Sequence, residues 1–167
     1  MLNKVVNTEY PLIDADPHAS RVIRYFRPSD YAVWAGATAA FPAALYAWEM
    51  ADPTKGRMKT TLKLGGYLGF TAGFLLAYQR SSLRFWGWSE NKREEEMDLA
   101  ELRQRAQEGK PLYGESPQPA WVQQAASRNS QWSQLNLAIL PMFNLVNHPN
   151  HGTDPAKYGV AKEEESS

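Results

Sequence analysis

The sequence predicts an all-α membrane protein: a two-helix transmembrane hairpin with peripheral helices and extended arms. Residues 31–48 and 64–79, eighteen and sixteen in number, carry no charged side chain. A bilayer core of roughly 30 Å needs about 20 mostly apolar residues in helix. The first stretch approaches that length, and the second does so if residues 60–63 join it and Lys63 snorkels. Aromatic residues cluster at the ends: Tyr31, Trp34, Tyr46 and Trp48 around the first stretch, Tyr78, Phe85, Trp86 and Trp88 around the end of the second. That is the pattern of an interfacial belt.

Small residues form a third signal. Ala32, Gly36, Ala40 and Ala44 fall at every fourth position of the first stretch, and Gly65, Gly69, Gly73 and Ala77 do the same in the second. Such ladders let helix backbones approach closely, against each other or against a partner's helices. Pro42 is expected to kink the first helix.

The remaining elements follow in order. Residues 1–29 read as an extended N-terminal segment with a short surface helix over 18–26, capped by Asp16 with Pro17 in its first turn. Val22, Ile23 and Phe26 give that helix an apolar face, and Arg21, Arg24 and Arg27 a basic one. Pro28 ends it. The hairpin occupies 30–88, with spans at about 31–49 and 61–80 joined by a polar turn around Asp52-Pro53 and Gly56. Residues 89–110 are dominated by strong helix formers, with Met97, Leu99 and Leu102 as a thin apolar stripe and Glu94–Asp98 and Glu101–Arg105 as a solvated charged face. Residues 111–167 read as a Pro-rich linker, a peripheral helix over 120–140 using Trp121, Ala125, Trp132, Leu135 and Ile139, and an irregular tail. The run 137–146 is too short to span a bilayer and contains Pro141.

Composition narrows the function classes. Eighteen basic and eighteen acidic residues leave no net charge, which argues against a dedicated nucleic-acid binder. With no cysteine, the chain supplies no disulfide, zinc thiolate, iron–sulfur ligand or thiol nucleophile. The N-terminus shows neither a signal-peptide apolar run nor an Arg- and Ser-rich presequence. Seven basic residues flank the termini side of the hairpin (Arg21, Arg24, Arg27, Arg80, Arg84, Lys92, Arg93) against four in its loop (Lys55, Arg57, Lys59, Lys63). That bias puts the termini on the cytosolic or matrix side.

Candidates for chemistry are few. Asp14, Asp16 and His18 alternate and would share a strand face suited to a metal, but Pro17 and the capping role of Asp16 speak against it. His148 and His151 stand in a turn sequence, HPNH, with no third ligand nearby. No phosphate-binding glycine loop or serine elbow is present. Neither apolar stretch contains Asp, Glu, Lys, Arg or His, so a pump, channel or transporter is not indicated. No catalytic, cofactor-binding or metal residue is assigned.

The stretch 9–31, EYPLIDADPHASRVIRYFRPSDY, resembles the start of the 21 kDa accessory subunit family of fungal mitochondrial respiratory complex I. The resemblance implies a supernumerary subunit of NADH:ubiquinone oxidoreductase, multi-pass in the mitochondrial inner membrane, with both termini facing the matrix. It implies no cofactor of its own. Its role would be assembly and stability, its partners other complex I subunits, those of the membrane arm in particular, with phospholipid at the helix edges. Asp14, Asp16, Arg21, Arg24, Arg27, Arg80, Arg84, Trp86 and Trp88 are the expected partner or lipid-headgroup contacts. Two other readings stand beside it: an independent self-associating or lipid-binding hairpin, and a small membrane enzyme using Asp14, Asp16, His18, His148 or His151, which nothing in the sequence places around a pocket.

Overall fold

The computed structural model describes residues 7–51, 53, 58–133 and 143–159. Five α-helices follow in order: α1 (Ala19–Arg24), α2 (Pro28–Ala51), α3 (Met58–Phe85), α4 (Lys92–Gln107) and α5 (Ala120–Ser130). A 3-10 turn, Pro155–Tyr158, comes last. The expected turn around Asp52 and Gly56, most of the apolar run 137–146 and the end of the tail lie outside the described residues.

The chain forms two compact units, Met1–Arg24 with Ser82–Ser167, and Tyr25–Ser81. The second holds α2 and most of α3. Pro28 opens α2, where its missing N–H costs nothing, and the Asp30 carboxylate reaches back to the Arg27 N–H at 2.8 Å. The other Asp30 oxygen takes Arg80 Nε at 3.1 Å. The helix runs unbroken through Pro42.

The seam between α2 and α3 is made by glycine on one side only. A Cβ on Gly69 would lie 2.7 Å from the Ala37 carbonyl oxygen and 2.9 Å from Phe41 Cβ. One on Gly73 would lie 2.7 Å from the Trp34 carbonyl oxygen, and one on Gly65 would lie 2.6 Å from Leu45 Cδ1. Gly65, Gly69, Gly73 and Ala77 are all buried, whereas Ala32, Gly36, Ala40 and Ala44 are all exposed, and a Cβ on Gly36 would meet nothing. The α2 face that meets the α3 glycines carries Trp34, Ala37, Phe41 and Leu45 instead. Trp34 packs against Phe70 and Phe74 with ring centroids 5.1 and 5.2 Å apart, and its indole N–H donates to the Phe70 carbonyl at 3.0 Å.

The structure overturns the transmembrane hairpin. Among the described residues no helix is long and apolar enough to cross a membrane. At 24 and 28 residues, α2 and α3 do not fall short in length. Residues 31–48 lack charge, but eight of the eighteen are alanine and one each are leucine, valine and phenylalanine. Transfer free energy scales with apolar area, and a methyl group supplies little of it. Helix α3 carries Lys59 and Lys63 in its first turns and four glycines, Gly65, Gly66, Gly69 and Gly73, beyond them. Absence of charge was the wrong criterion; apolar area was the right one. The assignment of both termini to one membrane face rested on those spans and goes with them. The aromatic belt also divides: Tyr31, Tyr46, Trp48 and Trp88 are exposed, while Tyr78, Phe85 and Trp86 are core residues.

In the first unit the N-terminal segment is extended and tied to the end of α3. Tyr10 N–H donates to the Gly87 carbonyl at 3.1 Å, and Ile13 N–H to that of Phe85 at 2.9 Å. Asn91 ties the N-terminal segment to the end of α3, donating to the Pro11 and Arg84 carbonyls at 2.8 Å each. Gly87 has φ 74°, and any side chain there would strike the Tyr10 carbonyl, so the turn requires glycine. Helix α1 starts later than expected. The His18 ring, not Asp16, caps it, with Nδ1 accepting from Ser20 N–H at 3.3 Å.

Candidate functional site

The densest polar cluster lies in the first unit. It joins the N-terminal segment, α1, α4, α5 and residues 144–158. Asp14, Asp16, Glu94, Asp98, His148 and His151 are all buried. Burying charge is costly unless each group is paired, and here the partners come from distant parts of the chain.

Asp14 is the first hub. One carboxylate oxygen accepts from the Asp16 N–H at 2.9 Å and from His151 Nδ1 at 2.7 Å. The other accepts from Arg21 at 3.1 Å. Burial works to raise the Asp14 pKa, but His151 and Arg21 outweigh it and hold the group below its ordinary value. His151 Nε2 lies 2.6 Å from the His148 carbonyl oxygen, which can only accept. Both ring nitrogens of His151 thus face oxygen atoms. The Tyr113 ring stacks on His151 at 3.5 Å, and the His148 ring stacks on it at 4.7 Å.

Asp16 is the second hub. Its Oδ2 accepts from His148 Nε2 and from Ser130 Oγ, each at 2.7 Å. His148 Nδ1 accepts from the Asn150 N–H at 3.1 Å, which leaves the Nε2 proton facing Asp16. Serine, histidine and aspartate therefore meet, but in an order that does no nucleophilic chemistry. A general base must touch the hydroxyl. Here the carboxylate lies between the two, and Ser130 donates to it rather than to the imidazole. Burial raises the Asp16 pKa, against the hydrogen bonds from His148 and Ser130.

Arg21 links this cluster to α4. It pairs with Asp14, with Asp98 and, at 3.9 Å, with Glu101. Asp98 also accepts from the Tyr158 hydroxyl at 2.7 Å. Burial raises the Asp98 pKa despite Arg21. Tyr113, half-buried, is pushed up to about 12 by desolvation and by Asp14, and Tyr158 is raised by burial and by Asp98. Glu94, Asp98 and Leu102 fall at i, i+4 and i+8, so one face of α4 is buried. That face was expected to be solvated. The i, i+4 acidic spacing in line with Leu102 was the available signal, with the buried Arg21 as its counterpart on α1.

The other residues singled out fall as follows. Arg84 is buried against Glu94 at 3.3 Å, and Trp86 is buried with its ring 5.3 Å from that of Trp132. Arg24, Arg80 and Trp88 are exposed, and Arg27 is half-buried. His18 stands apart from the two aspartates, its Nδ1 2.8 Å from Ser20 Oγ. Among the described residues no group of three His, Asp or Glu is arranged to hold a metal ion. Beside the Asp14 hub lies a polar pocket of about 210 Å³, lined in part by His18, Arg21, Arg24, Glu101, Arg105 and His151.

Comparison with known proteins places the chain. Residues 7–90 match the family model described as NADH-ubiquinone oxidoreductase complex I, 21 kDa subunit. Residues 99–167 match the model for the C-terminal region of the same subunit. The chain is similar to the NADH-ubiquinone oxidoreductase 20.9 kDa subunit of Neurospora crassa, with 49% identity over 98% of this chain and 88% of that protein. The chain belongs to the complex I 21 kDa subunit family. In this member of the family the two matched regions are not separate pieces. Asp14 and Asp16, in the first, bond His148 and His151, in the second.

Proposed function

We propose that the chain is a non-catalytic accessory subunit of mitochondrial NADH:ubiquinone oxidoreductase that supports assembly and stability of the complex by docking on other subunits. The observation that carries this reading is similarity at 49% identity over nearly the whole chain to a protein named as a subunit of that enzyme. The surface of the Tyr25–Ser81 unit supports it. Phe41, Tyr46, Trp48, Met50, Tyr67 and Phe70 are all exposed, large apolar side chains that a docked neighbour would cover. The ladder of Ala32, Gly36, Ala40 and Ala44 lies on the open side of α2, where it allows a partner helix to approach closely. Arg24, Arg80 and Trp88 are the exposed side chains proposed to touch neighbouring subunits or phospholipid headgroups.

Deleting the gene tests the role. Native electrophoresis of mitochondrial extracts should show less assembled complex, while NADH:ubiquinone activity per assembled complex stays at the wild-type value. A normal amount of complex with unchanged heat stability would rule out the assembly role.

A further inference from the structure

Of the side chains proposed above to touch neighbouring subunits or headgroups, only Arg24 lines the pocket beside the Asp14 hub. Its walls come from α1, α4 and the segments around Tyr113 and Asn147. Three arginines, Arg21, Arg24 and Arg105, stand on those walls beside two carboxylates, Asp14 and Glu101. Three guanidiniums from two helices converge on a single carboxylate. Glu101 lies 2.6 Å from Arg24, 3.4 Å from Arg105 and 3.9 Å from Arg21. Arg21 is fixed from behind by Asp14 and Asp98, whereas Arg24, Arg105 and Glu101 reach the surface.

We propose that this pocket binds a phosphate group, held by Arg24 and Arg105 with Arg21 at its floor. A carboxylate offers two oxygens to three guanidiniums, while a phosphate offers three or more in a geometry that several planar forks can share. The space suits it. At roughly 30 Å³ per water, about 210 Å³ admits a phosphate with one substituent. Glu101 acts as the internal anion that keeps the guanidiniums gathered while the pocket is open. It also opposes an incoming anion by like charge, so its neutralisation should favour binding.

The same chemistry is presented by soluble phosphomonoesters and by a phospholipid headgroup. The test titrates the purified full chain with inorganic phosphate by calorimetry. Co-sedimentation follows with phosphatidylcholine vesicles that contain or lack phosphatidic acid. Phosphate should bind the wild type. Arg24→Ala and Arg105→Ala should each weaken it on the order of tenfold, the scale of one charge-assisted hydrogen bond. Glu101→Gln should tighten it, a gain of function that misfolding cannot imitate. Sedimentation only with phosphatidic acid, reversed by excess phosphate, identifies a headgroup; phosphate binding without sedimentation identifies a soluble ester. No phosphate binding, or binding equal in wild type, Arg24→Ala and Glu101→Gln, overturns the proposal.

Discussion

Asp14 and His151, 137 positions apart, meet at 2.7 Å in the interior. Asp16 and His148 repeat the contact at 2.7 Å across 132 positions. The N-terminal segment and the segment near the C-terminus are thus joined by two parallel carboxylate–imidazole pairs, whose rings stack on each other. The sequence shows the two aspartates and the two histidines as separate groups with no metal role assigned; in the fold they form one clasp.

The clasp predicts unequal effects of its members. Removing one partner of a buried pair strands the other, at a cost of about 3 kcal/mol. His151→Ala should destabilise the chain by that amount. Asp16→Asn should cost only about 1 kcal/mol, because the amide oxygen still accepts from Ser130 or His148 and the lost charge was already disfavoured by burial. Chemical denaturation of the two variants checks the order, and equal losses would contradict it.

The glycines of α3 give a second prediction. Gly69→Ala inserts a methyl group 2.7 Å from a backbone carbonyl that cannot rotate away, at a cost of about 1–3 kcal/mol. Gly36→Ala meets nothing and should stabilise α2 by up to about 1 kcal/mol through helix propensity. Melting temperatures should move in opposite directions.

How much of this was legible in the sequence depends on what each residue had to signal. Helices α2 and α3 were visible as long uncharged stretches, because uncharged runs of that length fold in few ways. Their partnering was not. The two ladders look alike in sequence, yet only Gly65, Gly69 and Gly73 enter the seam, and Trp34 and Phe41 fill the other side. The crossing of a membrane was misread because alanine counts as uncharged without adding much apolar area. Asp14, Asp16, His148 and His151 were each noticed, but nothing local told which aspartate meets which histidine across more than 130 positions. Asp98, Tyr113 and Tyr158 were missed because a buried acid on a helix rich in acids carries no mark except its alignment with Leu102.

The pH dependence should have two limbs. Asp14 is held below its ordinary value of 3.8, so its contribution is present above that pH and lost as pH falls through the lower folded value. Asp16 and Asp98 are raised, so theirs is present below 3.8 and lost as pH rises through their folded values, partly offsetting Asp14. Asp14→Asn should therefore flatten the acid limb. On the alkaline side Tyr113 rises from 10.0 to about 12, and Tyr158 moves the same way. Their contribution is intact below pH 10 and lost as pH rises toward the folded values. Circular dichroism with phenolate absorbance should show unfolding and ionisation together in that window, shifted upward in Tyr113→Phe.

The central claim is that the chain works as part of the respiratory complex, and one measurement meets it directly. A C-terminally tagged chain is followed by blue-native electrophoresis of mitochondrial extracts, with mass spectrometry of the tagged band. The account predicts co-migration with NADH dehydrogenase activity at the size of the whole complex, and peptides of its other subunits in the band. Migration as a small species without those peptides would contradict it.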